Sequence, residues 1–288
     1  MVTNLKLRVS LVIPVYNEES YLALCLQAIA QQTVRPFEVI VVDNNSTDNT
    51  AAIAHQFPFV TVLQESRQGV AFARDRGFNA ARGDIIGRTD GDTILAPDWV
   101  EKLQQAFADP CIDAVSGVVD YRDIGLKRMF DVVDEKYRHF LAKRVASLGE
   151  AFLYGVNMGV RRPAWRAVRA QVCHQRHLAE DLDLAVHLAA AGFTVGFAPG
   201  MRVSIAPRQA ASRPHEFHKY VWSGPRVYAE HGLRAQRYMY PMALLVSALH
   251  GPICLLYKGY DPDKQRFSIS YARRSAVAAR VSPVSDLI

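Results

Sequence analysis

The sequence predicts an α/β chain with a doubly wound, mostly parallel sheet and a C-terminal helical extension. Three observations carry this. Apolar strand-like runs alternate with helical patterns through the first hundred residues. The runs are apolar on both faces, as strands covered by helices on each side must be. Polar clusters follow the first, second and fourth runs, at the carboxyl ends of strands where such sheets bind ligands.

Each element has its own warrant. Arg8–Val15 is rich in Val, Ile and Leu and reads as a buried strand. Asn17 is placed as an N-cap, with Glu18 and Glu19 favouring the positive end of the helix that Tyr21, Leu22, Cys25, Leu26 and Ile29 mark by their spacing. Phe37–Val42 is a second strand and Thr50–Gln56 a short helix. Phe59–Leu63 and Asp84–Thr89 are strands flanking a helix over Gly69–Ala81. Pro97–Phe107 is an amphipathic helix opened by proline. Strands are expected at Ile112–Val119, Ala151–Val160 and Phe193–Phe197, and helices at Leu126–Val145, Pro163–Arg169 and Leu178–Ala191, the last closed by Gly192. Regularity weakens beyond Ala206. His215 and His218 fall in a stretch read as a mobile loop, and residues 270–288 read as a frayed tail. The expected domains are a catalytic unit at 1–207 (halves at 1–100 and 101–207), a basic, apolar helical extension at 208–269, and the tail.

Bulk composition narrows the function classes. Charged residues make up 22% and hydrophobic ones 50% of the 288, which excludes gross disorder. The net charge of +6 is unevenly placed: residues 201–288 hold 13 Lys/Arg against 5 Asp/Glu, so the rest is slightly acidic. That argues against a nucleic-acid-coating protein and leaves a basic C-terminal region suited to phosphate or anionic lipid. Cys25, Cys111, Cys173 and Cys254 are far apart, with no CxxC pair and no zinc-finger spacing, and a reducing compartment is expected. The N-terminus lacks the pattern of a signal peptide. Tyr238–Tyr257 is apolar but broken by Pro241 and Pro252, so a buried or interfacial helix pair is expected rather than a span, which needs about 20 apolar residues.

The sharpest chemical pattern is Asp90-Gly91-Asp92 at a strand end. Two carboxylates flanking a glycine can address one hard cation such as Mg²⁺ or Mn²⁺, which shares its oxygen ligands with a diphosphate. A solvated turn gives the same sequence. Glu180-Asp181 opens a helix, where acids suit the dipole; Asp183 is read that way, whereas Asp181 is also a candidate general base. Asp43 suits either a hydrogen bond to a base or ribose, or a loop Asx-turn, a reading that Asn44, Asn45 and Ser46 also fit. The Tyr16 ring could stack on a base. Arg74 could reach a phosphate or base, or pair with Asp75 at the surface. Trp165 and Trp222 suit core or interface roles better than sugar stacking.

The stretches Val12–Glu18, Val41–Asp48 and Gly69–Gly77, followed by Asp90-Gly91-Asp92 and Glu180-Asp181, together resemble family 2 glycosyltransferases in order and spacing, over about residues 8–205. The resemblance implies a GT-A fold and an inverting, metal-dependent transferase. Such an enzyme moves a sugar from a nucleoside-diphosphate donor, UDP favoured and GDP open, to a hydroxyl on a saccharide or lipid-linked acceptor. It implies that Pro14, Tyr16 and Glu18 line the nucleoside site, Asp43 binds the base, Arg74 helps hold the nucleotide, Asp90 contacts ribose or metal, and Asp92 ligates Mg²⁺ or Mn²⁺. Asp181 would be the catalytic base. The QxxRW pattern of processive synthases is missing. No family-like histidine follows the last strand, where Arg208 or Arg213 could serve the diphosphate instead. A retaining transferase and a donor-binding protein without turnover are the alternatives. A cytoplasmic protein is expected, with peripheral contact at the inner face of the membrane through 208–269 and no nucleic-acid partner.

Overall fold

The computed structural model describes residues 7–122, 127–206, 208–261, 264 and 266–268; the expected tail at 270–288 lies outside them. The strands are β1 (Val9–Val15), β2 (Glu38–Asp43), β3 (Val60–Gln64), β4 (Ile85–Thr89), β5 (Ile94–Leu95), β6 (Ala114–Tyr121), β7 (Asn157–Arg161) and β8 (Val195–Ile205), with a small β9–β10 pair at Tyr260–Asp261 and Arg266–Phe267. The helices are α1 (Leu22–Ala30), α2 (Thr50–His55), α3 (Val70–Ala80), α4 (Trp99–Ala106), α5 (Lys127–Ala146), α6 (Arg162–Val168), α7 (Glu180–Ala190), α8 (Pro214–Glu230), α9 (Gln236–Ala248) and α10 (His250–Lys258).

The chain forms two compact units that do not follow a single cut. The first comprises residues 1–118, 151–174 and 180–203, and the second 119–150, 175–179 and 204–288. Segments 119–150 and 175–179 therefore cluster with the C-terminal region, although the sequence places them inside 1–207.

The first unit holds most of an eight-stranded sheet in the order β3-β2-β1-β4-β7-β6-β8-β5. Strand β1 runs parallel to β2 and β4, and β2 runs parallel to β3. All seven residues of β1 and all five of β4 are buried, whereas β3 is only partly covered at the edge. That gradient is why β1 reads as a nearly continuous apolar run. The sheet is mixed, because β7 lies between β4 and β6 and is antiparallel to both. The apolar run Ala151–Val160 was expected as one strand; only its end is β7, and 151–154 is irregular.

Helix α3 packs on β1 and β2. Gly77 allows the close approach: a Cβ there would lie 2.3 Å from Val12 Cγ1 and 3.0 Å from Val42 Cγ2. On the same side, Trp165 from α6 meets Phe78 edge to face at 5.2 Å and donates Nε1–H to Asn79 Oδ1 at 3.2 Å. It is a core residue, as expected.

In the second unit, α8 replaces the loop expected around His215 and His218. At its start Glu216 Oε2 accepts from Arg213 N–H at 3.1 Å, and Pro225 is tolerated in its interior. Its aromatic and basic residues disguise a helical face that buries Phe217, Val227 and Tyr228. Trp222 Nε1 donates to Ser247 Oγ at 3.1 Å, tying α8 to α9. Glu150 accepts from the N–H groups of Arg234 and Ala235 at 2.7 and 2.9 Å, just before α9 begins. The helix pair expected over Tyr238–Tyr257 is present as α9 and α10. Among the described residues no single helix is long and apolar enough to cross a membrane; these two reach that only together, bent by 52°.

The packing of α3 gives a direct check. Gly77→Ala should lower stability by about 1–3 kcal/mol, because the new methyl group meets a stiff, fully buried valine. A urea midpoint at or above that of the unaltered protein would contradict the close approach of α3 to β1, since alanine otherwise favours a helix.

Candidate active site

The loops after β1, β2 and β4 converge in the first unit. Asn17 and Asn45 both adopt left-handed backbone, at φ 52° and 61°, a conformation asparagine tolerates. Asn17 is therefore not the N-cap expected for α1, which begins at Leu22. Its Oδ1 instead accepts from Thr47 N–H at 2.8 Å, and its own N–H donates to Ser46 Oγ at 3.1 Å, lacing the β1 and β2 loops together. Glu18 is buried and its backbone N–H donates to Thr50 Oγ1 at 2.7 Å. Asn44 braces a third loop: Nδ2 donates to the carbonyls of Glu65 and Arg67 at 2.9 and 2.7 Å, and Oδ1 accepts from Gly69 N–H at 2.7 Å.

Asp43 sits at the end of β2, opposite Val15 in register, is buried, and accepts from Ser46 N–H at 3.2 Å. That local bond reaches three residues on, one further than the Asx-turn read as its alternative. Pro14 is buried and Tyr16 half-buried at the adjoining end of β1. Asp90 and Asp92 follow β4 and are also buried. A Cβ on Gly91 would lie 2.9 Å from Val15 Cγ1 and 3.3 Å from Glu18 Cγ, so the acidic turn is seated directly on the β1 loop. Two carboxylates held in this way are oxygen donors of the kind a hard divalent cation takes, and they fit Mg²⁺ or Mn²⁺.

Behind this surface lies a chain of buried charges. Arg88, in the middle of β4, donates Nη2–H to Asp90 Oδ1 at 3.1 Å and pairs through Nη1 with Glu180 Oε1 at 2.5 Å. The other Glu180 oxygen pairs with Arg74 Nη1 at 2.6 Å, and the same Nη1 donates to the Glu180 carbonyl. Arg74 Nη2 meets Asp75 Oδ1 at 2.8 Å, and Asp75 Oδ2 meets His174 Nε2 at 2.8 Å. Burial pulls the Arg74 pKa down, but Glu180 and Asp75 outweigh it and the net shift is upward.

Arg74 thus departs from the expected nucleotide contact. Its side chain is 0% exposed, lies over the Trp165 ring, and is committed to two carboxylates. The pairing with Asp75 read as the alternative is real, but it is buried rather than superficial.

Asp181 opens α7 beside this chain and is half-buried. Oδ2 accepts from Gly155 N–H at 2.7 Å and Oδ1 from Leu182 N–H at 2.9 Å. Gly155 must be glycine, since a Cβ there would fall 1.9 Å from Arg88 Nη1. Burial and then the neighbouring Glu180 push the Asp181 carboxyl up to about 6, against the opposing pull of Arg88 and the two N–H groups.

The structure therefore brings Pro14, Tyr16, Glu18, Asp43, Asp90 and Asp92 to one edge of the sheet. It connects Asp90 to Asp181 through Arg88 and Glu180. Arg88 was missed in the sequence, yet it stood out: a lone cation in the buried strand IIGRT needs a buried partner. Arg208 is buried, and Arg213 stands exposed at the start of α8, where its backbone N–H donates to Glu216.

A family model for glycosyl transferase family 2 matches residues 10–169, more than half the chain. The chain belongs to glycosyl transferase family 2. It is 37% identical over 114 residues to glycosyltransferase GlyG of Streptococcus pneumoniae, a match covering 38% of each protein. It is 27% identical over 217 residues to an N-acetylglucosaminyltransferase of Azorhizobium caulinodans, covering 67% of this chain and 53% of that one. The matches therefore span well under two thirds of these relatives' own length. Among solved structures, the mannosyltransferase PcManGT of Pyrobaculum calidifontis, in complex with GDP-Man and Mn²⁺, is similar at a TM-score of 0.59 and 25% identity, covering 86% of this chain and 74% of that one. TarS of S. aureus, residues 1–349 in complex with UDP-GlcNAc, matches at a TM-score of 0.54 and 17% identity over 77% of this chain and 66% of that one, a likeness of fold. The fold is GT-A.

The Asp181 carboxyl makes stability depend on pH with a definite sign. Its folded value near 6 exceeds the ordinary 3.8, so folding favours the protonated form. The benefit is complete below about pH 4 and is lost as pH rises through about 6. Asp181→Asn should therefore gain stability relative to the unaltered protein between pH 4 and 7.5, by no more than about 3 kcal/mol. Urea midpoints at both pH values read this difference, and a gap independent of pH would contradict it.

Proposed function

We propose that the chain is an inverting glycosyltransferase that takes a nucleoside-diphosphate sugar as donor and a hydroxyl as acceptor, with Mg²⁺ or Mn²⁺ at Asp90 and Asp92. The observation that carries this reading is the position of Asp181: a fixed carboxylate with its pKa raised to about 6, joined through Glu180 and Arg88 to Asp90. A base tuned toward neutrality is what deprotonating an alcohol requires. The two N–H groups that hold Asp181 keep it in one orientation.

In this reading the nucleoside lies over Tyr16, between Pro14 and Asp43, with Glu18 beneath the acidic turn. Asp90 and Asp92 hold the cation, which when bound offsets the charge growing on the departing diphosphate. The acceptor oxygen forms a bond to the anomeric carbon as its proton passes to Asp181, and the bond from that carbon to the diphosphate breaks. Attack opposite the leaving group inverts the centre. Arg74, buried among carboxylates, acts on this chemistry only by holding Glu180.

A thermal-shift screen of nucleotide sugars with Mn²⁺ separates uridine from guanosine donors, since a bound donor raises stability with its concentration. With the donor found, Asp181→Asn should retain donor binding and lose transfer by at least about a hundredfold. The unaltered enzyme should show kcat/KM falling below about pH 6, where the base is protonated. Transfer by Asp181→Asn at the normal rate, or a product that keeps the donor's anomeric configuration, would overturn the base assignment. Full activity in excess EDTA would remove the cation, and binding without turnover would leave a donor-binding protein.

The acceptor is proposed to lie at an anionic lipid surface. Helices α9 and α10 expose Leu244, Leu245, Leu249 and Leu255, within the region that carries the basic excess. Co-flotation with vesicles containing phosphatidylglycerol at low salt is expected, and should fall in Leu244→Glu/Leu255→Glu. No flotation, or flotation unaffected by these changes, would reject the lipid contact.

A further inference from the structure

Within the first unit, outside the acidic turn, three ligand-type side chains converge beside α7. Asp183 and His187 stand one helical turn apart, with Oδ1 and Nε2 3.4 Å apart. Cys173, from the segment before α7, places Sγ 4.0 Å from the same Nε2. The ligand atoms all lie within 4.8 Å of one another. Cys173 N–H donates to the other Asp183 oxygen, Oδ2, at 2.7 Å, which fixes the carboxylate with Oδ1 turned to the histidine. Asp183 is completely buried, so its first-turn position, read as suiting the helix dipole, also gives it specific side-chain partners.

The geometry distinguishes a metal site from a nucleophilic triad. In a triad the thiol and the carboxylate address opposite nitrogens of the imidazole. Here both approach Nε2, so all three groups point at one locus. Around a tetrahedral zinc ion, sulfur and nitrogen ligands stand about 3.6 Å apart and nitrogen and oxygen about 3.3 Å. The observed 4.0 and 3.4 Å lie close to these values. A thiolate, a neutral imidazole and a carboxylate also balance a divalent charge, which matters at a buried site.

We propose that Cys173, Asp183 and His187 bind a zinc ion, distinct from the oxygen-ligated cation at Asp90 and Asp92. The thiolate and imidazole select a softer metal than Mg²⁺ or Mn²⁺. The ion ties the segment before α7 to the helix that carries Glu180 and Asp181. His174, next to Cys173, pairs with Asp75 and stacks on Phe72 at 4.7 Å, so the tie continues into the buried charge chain. The role is structural and does not depend on the transfer reaction.

Cobalt titration of the purified full chain tests this, because only a thiolate ligand gives a sulfur-to-cobalt charge-transfer band. The band should saturate at one equivalent and be displaced by zinc. It should persist in Asp92→Ala and in Cys111→Ser, and vanish in Cys173→Ala, while His187→Ala should weaken cobalt affinity by at least about tenfold. Absence of the band, or its survival in Cys173→Ala, would overturn the proposal. A measurement on the unaltered chain guards against variants that fail to fold: zinc should slow alkylation of Cys173 by iodoacetamide, mapped by mass spectrometry. An unchanged labelling rate in zinc would equally overturn it.

Discussion

The first unit depends on the carboxylate of Glu180. It receives one guanidinium on each oxygen, Arg88 from the middle of β4 and Arg74 from α3. Those two elements and α7 come from distant parts of the chain and share one apolar core through Phe78, Ile86 and Leu184, to which the ion pairs add directional constraints. A buried ion network of this sort is poor evidence for stability, because desolvating the charges consumes most of their mutual attraction. It is strong evidence for position. Removing one member would strand a buried charge, at a cost of about 3–5 kcal/mol, so the alternative packings of α7 are disfavoured steeply.

That positioning reaches the chemistry through short links. Asp181 is the residue after Glu180, and its carboxylate is held by Gly155, which itself lies against Arg88. Arg88 also touches Asp90. One cation thus adjoins both the proposed base and the acidic turn. The effect on Asp181 is a balance: burial and Glu180 raise its pKa, while Arg88 and two N–H groups restrain the rise. Without Arg88 the carboxyl would be protonated too readily to act as a base near neutrality; without Glu180 it would be too weak a base.

The parts of this that were legible in the sequence are those with a short period. The runs SLVIPV and EVIVV could only be buried strands, and the loops after them had to lie at one sheet edge. Direction was not legible. The run Ala151–Val160 announces burial, but nothing local says that β7 enters antiparallel between β4 and β6. Helix α8 lies in the region expected to be a helical extension, but its start was read as a loop because Arg and His crowd its first turns. The Arg74 role was misjudged for a related reason: helical spacing says which face a residue occupies, not whether that face meets solvent or a buried Glu180 from 106 positions away. Asp183 was read as a dipole-compensating acid because its partners, Cys173 ten residues before and His187 four after, match no compact metal motif.

The two proposed cation sites differ in the ions their donors suit. Carboxylate donors such as those of Asp90 and Asp92 follow the usual order of affinity for divalent ions, with zinc above manganese. A thiolate and an imidazole at Cys173 and His187 discriminate far more sharply for zinc than carboxylates do. One bound zinc does not remove the ion from solution, so the suitability of the acidic turn for a diphosphate rests on its own oxygen donors, which leave coordination positions open. Helix α7 would serve both purposes: its first turn carries Asp181, the proposed base, and Asp183, which with His187 one turn on makes part of the proposed zinc site.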